Sequence, residues 1–282
     1  MADTQNVIYA QAYGTNIMQL AQQKYSKLVN TVYQRQNVRG KTFFQDQIGA
    51  WSMEVKGGRN AQTPNNDPAF DRRMGVMVDY HDNRLLDRGD ELKSISDPRS
   101  AYTIAAAQSL GRKIDDVIIA AAIDTAKYGE TGSSSVTCSN VKLVTASSIT
   151  VADITAVKVV FDNADVEMED RYFAVSPASL NSLLSLTAVT SSDYANVKAL
   201  VRGEVDTFMG FKFIQTTRIT ANSSTLAGIA FQKYGVCMAM ADAPVVRTDE
   251  RPDLSYSWQV YYELNIGAVR LEENRVVRVY TA

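Results

Sequence analysis

The sequence predicts an α+β protein with a polar N-terminal arm, an extended two-stranded ribbon, one long helix and an α/β core. Three observations carry that prediction. The stretch "DPRSAYTIAAAQSLGRKIDDVIIAAAIDTAKYG", from Asp97 to Gly129, keeps a three-or-four-residue apolar period with no proline after Pro98. Period-two alternation flanks a Gly-, Asn- and Pro-rich stretch between Trp51 and Tyr80. From residue 150 onward helix and strand signals alternate, and the chain closes on strands.

The arm comes first and spans residues 1–45. Within it, "TNIMQLAQQKYSKLVNTVYQ" places Ile17, Leu20, Ala21, Lys24, Leu28 and Val32 on one side of a helix, a weak stripe suited to lying on something else. The ribbon follows. Trp51, Met53 and Val55 share one strand face, and Met74, Val76, Val78 and Tyr80 share another. Between them "KGGRNAQTPNNDPAFDRR" reads as a turn-rich tip. A lone two-stranded ribbon is marginal in water, so this one requires contact from outside. The tip residues Gly57, Gly58, Arg59 and Asn60, with Pro64, Asn65, Asn66 and Asp67, are the expected contact with that outside partner. Arg59, Arg72 and Arg73 are expected to pair with carboxylates on that partner.

The long helix is next. Asp97 is a suitable N-cap, Pro98 fits the first helical position, and Gly129 offers a left-handed stop. Its packing face is read as Ile104, Leu110, Ile114, Val117 and Ile118, with Ala107 and Ala121. Such a helix is about 45 Å long. Asp115 and Asp116, about 100° apart around the axis, do not converge on one site and are read as a solvated face. After a polar connector, Thr150 and Asp153 form a capping-box start ahead of Ile154, Val157, Val160 and Phe161. "RYFAVSP" is a buried strand running into a short helix capped by Ser176. "GFKFIQTTRI" and "LAGIAFQKYGVCMAMA" are further strands, and the C-terminus folds back through a turn near Glu273.

Composition narrows the function. The 282 residues are 45% hydrophobic and 21% charged, which suits one large globular domain or two modest ones. A net charge of −2 provides no overall basic surface for gripping nucleic acid, though it does not oppose enclosing it. "MADTQNVIYAQAYG" lacks the basic and apolar regions of a signal peptide, and no span suits a bilayer crossing, so a soluble protein made in a cytoplasm is expected. Cys138 and Cys237 are far apart, without a CxxC spacing, and are expected to be free and buried.

Catalytic patterns are missing. His81 is the one histidine; with Asp79 or Asp82 it could form an oriented base, but a polar strand position is the simpler reading. "GKT" at Gly40 has Arg35 where a phosphate loop needs glycine. "RGD" at Arg88 and "NSS" at Asn222 carry no meaning without secretion. No cofactor and no metal are expected.

The order of these elements resembles the major capsid proteins of tailed bacteriophages, the fold named after phage Hong Kong ninety-seven. "GKTFFQDQIG" and the Trp51 segment resemble the lead-in to that family's extended loop. "LGRKIDDVIIAAA" resembles its spine helix, and "FAVSPASLNSLLS" with "GEVDTFMGFKFIQTTRI" its axial domain. The resemblance implies an arm over residues 1–45 and an extended loop with its base over 46–90. It implies a peripheral domain over 91–149 and 242–282, with spine helix 98–128, and an axial domain over 150–241. It further implies a structural subunit that self-assembles as hexamers and pentamers into an icosahedral shell around double-stranded DNA, without sequence-specific binding. Scaffolding protein, portal and a decoration protein are the implied partners. The location is the virion, after assembly in the cytoplasm of a bacterial host, with no membrane contact. An encapsulin-type nanocompartment is the alternative within the fold, and a hydrolase using His81 the alternative outside it.

Overall fold

A computed structural model of the chain describes residues 22–87, 99–144, 149–185, 207–222 and 225–281. Over its described residues the arm enters as irregular, bent chain rather than the expected helix; residues 15–21 of that helix lie outside the described residues. After residues 22–28 come a 3-10 turn at Val29–Thr31 and strand β1 (Tyr33–Arg35). Asp115 explains the departure. Its carboxylate accepts hydrogen bonds from Ser26 Oγ at 2.6 Å and from the backbone N–H groups of Lys27 and Leu28, each at 3.1 Å. Amides committed to a distant side chain cannot join a local helical ladder. Leu28 and Val32 are nonetheless buried in the arm's own subunit, and Lys24 is exposed; Ile17, Leu20 and Ala21 lie outside the described residues.

The ribbon's paired strands are β2 (Thr42–Ile48) and β3 (Phe70–Val76), antiparallel in register from Thr42↔Val76 to Ile48↔Phe70. Trp51, Met53 and Val55 are not in a strand: pairing ends where the Gly49 N–H donates to the Ala69 carbonyl at 2.7 Å. The run Met74–Tyr80 is also not one strand. It breaks at buried Met77, and β4 (Val78–Leu86) continues in another sheet.

The long helix α1 covers Arg99–Ile123. Asp97 and Pro98 lie outside the described residues. At its other end α1 stops short of Gly129, and Ala126–Tyr128 forms β5, paired with β3. No cation sits in the last turn of α1, but two arrive from far along the chain. Arg270 Nη1 donates to the carbonyls of Ala122 and Asp124 at 3.1 and 2.6 Å, and Arg278 Nη1 to that of Ile123 at 2.9 Å. They satisfy carbonyls that any helix end leaves open, with charge of the favourable sign.

Leu110, Ile114 and Ile118 are buried and Val117 packs partly against the same core. Ile104, expected on that face, is 49% exposed, and Ala107 is exposed too. Near that end Arg84 of the solvent-exposed strand β4 sits over the Tyr102 ring at 6.0 Å. The acidic pair is not solvated either. Asp115 is 0% exposed and Asp116 accepts both Arg218 Nε at 2.7 Å and Nη2 at 2.6 Å. The two diverge, as their spacing requires.

The remaining elements are β6 (Ser134–Val136), β7 (Val141–Val144), α2 (Val151–Asn163), β8 (Arg171–Val175), α3 (Pro177–Ser185), β9 (Thr207–Phe208) and β10 (Phe211–Gln215). After them come α4 (Arg218–Asn222), β11 (Leu226–Gln232), β12 (Val236–Met240), β13 (Val245–Arg251), β14 (Ser257–Arg270) and β15 (Val276–Thr281). The capping box at Thr150 and Asp153 forms, and Ser176 Oγ accepts the Ser179 N–H at 3.1 Å.

Three sheets result. One runs β7-β15-β11-β8-β10-β9, one β1-β12-β14-β13 with β4 also on β14, and one β2-β3-β5-β6. Strand β11 is buried along its whole length because both faces are covered. Ile229 and Phe231 meet the α1 core, while Ala230 joins Phe161, Phe173 and Phe211 beneath α2. Strand β12 lies in the sheet of β14, whereas β7 and β15 complete the sheet that carries α2.

Candidate assembly surfaces

The ribbon loop, residues 49–69, is the part of the described chain with least support from its own subunit. Trp51 is 72% exposed, Met53 102% and Val55 96%, and Ile48 and Phe70 at the loop base are exposed as well. Leaving such apolar area in water costs roughly 25 cal/mol per Å² relative to covering it. Trp51, Met53 and Val55 alternate along a segment that pairs with no described strand.

The predicted tip residues all lie in this loop. A Cβ added at Gly57 or Gly58 would meet nothing within 4 Å. Asn60 takes φ 65°, and the Ala61 N–H donates to the Gly58 carbonyl at 3.3 Å, closing a turn around exposed Arg59. Pro64, Asn65 and Asp67 are exposed, and Asn66 Nδ2 donates to Glu54 Oε1 at 2.9 Å, joining the two limbs.

Arg72 and Arg73 differ from expectation, because both find carboxylates in their own chain. Arg72 Nε bonds Asp46 at 2.5 Å, and that hydrogen bond holds the Asp46 carboxyl below the usual carboxylate range. Arg73 is buried and bonds Glu273 at 2.9 Å; Glu273 also meets Arg270 at 3.4 Å. That chain of charges fixes the ribbon base to the C-terminal turn and, through Arg270, to the end of α1.

His81 lies within β4, exposed, opposite Glu263 and 6.5 Å from the Tyr261 ring. Among the described residues no three His, Cys, Asp or Glu side chains group to hold a metal ion. Cys138 and Cys237 are free and buried, and burial pushes the Cys237 thiol up to about 11.

A long helix across one sheet, a separate α/β sheet and a loop that no described residue of its own chain covers define a subunit built to be completed by copies of itself. The sequence matches the family described as phage capsid protein over residues 6–282, and the chain belongs to that family. Solved structures agree in fold. The capsid of cyanophage P-SCSP1u is 17% identical with a TM-score of 0.79, over 98% of this chain and 94% of that one. A Mycobacterium phage Che8 chain is 15% identical with a TM-score of 0.73, over 96% and 97%. The cyanophage Pam1 capsid is 12% identical with a TM-score of 0.73, over 100% and 99%. No curated protein sequence matches. The protein is a structural one, a major capsid subunit of an icosahedral phage shell located in the virion, and not an enzyme. The encapsulin alternative is not favoured, and the hydrolase alternative falls with it.

Proposed function

We propose that the loop of residues 49–69 is the clasp by which each subunit reaches over its neighbour within hexamers and pentamers. The observation that carries this reading is the exposed apolar edge of Trp51, Met53 and Val55. Covering three such side chains is worth about 1.5–3 kcal/mol each, whereas an exposed ion pair is worth about 0–1. Apolar cover from a neighbour therefore dominates, with the turn-forming tip Gly57–Asp67 setting its reach. In this reading α1 and the sheet of β14 form the peripheral unit, α2, α3 and the sheet of β8 the axial unit. Assembly takes place in the bacterial cytoplasm with scaffolding protein, portal and a decoration protein as partners, and the shell encloses DNA without sequence-specific contacts.

The test is to replace Gly57–Pro68 by an Asn-Gly turn, and separately to make Trp51→Ser, Met53→Ser and Val55→Ser together. Both variants should keep parental circular dichroism and melting temperature while shell formation by electron microscopy is lost. Because Arg72 and Arg73 are satisfied at home, high salt should not loosen parental shells through them. Normal shells from either variant would show the loop to be a passive surface feature.

A further inference from the structure

The charge of this chain is unevenly placed. Residues 1–45 hold five basic side chains and one acid, Asp3, whereas residues 46–282 hold 24 basic and 30 acidic ones. Between Thr4 and Gln45 there is no Asp or Glu at all, while amide side chains are frequent. The five cations are Lys24, Lys27, Arg35, Arg39 and Lys41. A segment of one sign within an acidic chain points to a partner of the opposite sign.

No described residue neutralises the strip. None of the five makes an ion pair with a described residue. Lys24, Lys27, Arg39 and Lys41 are exposed, and Arg35 is half-buried, donating to the Phe44 carbonyl at 2.6 Å. Two acids approach the strip and both are already engaged. Asp115 is buried beneath Ser26, Lys27 and Leu28, and Asp46 is held by Arg72. Beside the strip, Arg112 Nη1 donates to Gln22 Oε1 at 2.7 Å, adding a further cation. Docking fixes the arm in place: Lys27 Nζ donates to the Gln215 carbonyl at 2.7 Å, and β1 is paired with β12.

We infer that residues 22–41 form a docked cationic strip that binds the phosphodiester backbone of duplex DNA without regard to sequence. The side chains favour DNA over an acidic protein. A protein partner seats an apolar centre within a polar rim, but Leu28 and Val32 are turned into the core. Among residues 22–45, Tyr25 alone is an exposed large apolar side chain. A phosphate backbone asks only for cations and N–H donors, which this strip supplies. The inference goes beyond the clasp reading, and its test does not require shells to form.

The experiment uses the full chain below its assembly concentration and a short fluorescent duplex, with anisotropy followed between about 50 and 200 mM salt. The parent should bind with log affinity falling linearly against log salt. The triple variant Lys24→Gln, Arg39→Gln and Lys41→Gln should lower that slope by about 0.9 for each contact removed and weaken binding at least about tenfold at low salt. A control triple at exposed cations elsewhere, Arg84→Gln, Lys127→Gln and Arg247→Gln, should bind like the parent. If the arm triple does not keep the parental melting temperature, the three single variants are read instead, each expected to lower the slope by about 0.9. Parental binding by the arm variants, or equal losses in both triples, would overturn the strip. Poly-glutamate competing as well as DNA would assign it to an acidic polypeptide and overturn the DNA assignment.

Discussion

Replacing Asp115 by Ala should release the arm from its own subunit. The carboxylate is buried and accepts from Ser26 Oγ, Lys27 N–H, Leu28 N–H and Gln23 Nε2. Hydrogen bonds to a charged group are worth about 1.5–3 kcal/mol each, though not additively within one network. Removing the acceptor also leaves two backbone donors without a partner in a confined space. A loss of about 3–5 kcal/mol follows, close to that for breaking a buried charged cluster. Detachment is cheaper than global unfolding, so the loss should appear locally, at the arm. Trypsin reads this directly, because Lys24 and Lys27 lie within the docked segment. Under native conditions cleavage there should accelerate by two orders of magnitude or more, about tenfold for each 1.4 kcal/mol of docking lost. Gly111→Ala gives an independent route to the same result, since its Cβ would stand 2.9 Å from the Ser26 nitrogen. If both variants keep parental cleavage rates at Lys24 and Lys27, Asp115 does not hold the arm.

Ile114→Asp should cost about 3–5 kcal/mol in a urea melt, since it puts an unpaired charge where Ile114 is buried; a parental midpoint would show that α1 buries another face. Arg270→Met should cost a similar amount, about 3–5 kcal/mol, by leaving the carbonyls of Ala122, Asp124 and Val136 without donors. Hydrogen exchange should then quicken in the last turn of α1 before it does elsewhere. The hydrogen bond from Arg275 holds the Glu167 carboxyl below its ordinary value of 4.5. A depressed carboxylate contributes stability that is present above its unfolded pKa and is lost as pH falls through the folded one. Glu167→Gln should therefore cost about 0–1 kcal/mol at neutral pH, solvent screening included, and nothing at low pH. A loss that persisted in acid would assign the effect to packing.

What was legible in the sequence is what local chemistry decides. The capping box at Thr150, the Ser176 cap and the Ile114–Ile118 face of α1 each formed from residues within a turn or two of each other. Misreadings arose where distant residues decide. The end of α1 is set by Arg270 and Arg278, which no pattern near Ile123 announces. The arm carried a helical period, yet Asp115 takes the amides that a helix needs. Trp51, Met53 and Val55 alternate as a strand would, because an edge that must meet a neighbour obeys the same period as one that meets its own sheet. The ribbon's exposure was foreseeable from its composition, but the internal pairing of Arg72 and Arg73 was not.

The parallel pairing of β1 with β12 sets a clock on biosynthesis. Tyr33 lies opposite Cys237, so β1 must wait for about 200 further residues to be made before its partner strand exists. At about 5–20 residues per second the wait is on the order of 10–40 s. Arg270 and Arg278 arrive later still to seal a helix completed long before. Asp115 can hold residues 26–28 early, but until residues 236–278 have been made β1 lacks its partner strand and the end of α1 keeps open carbonyls. Chains cut off before that point lack both.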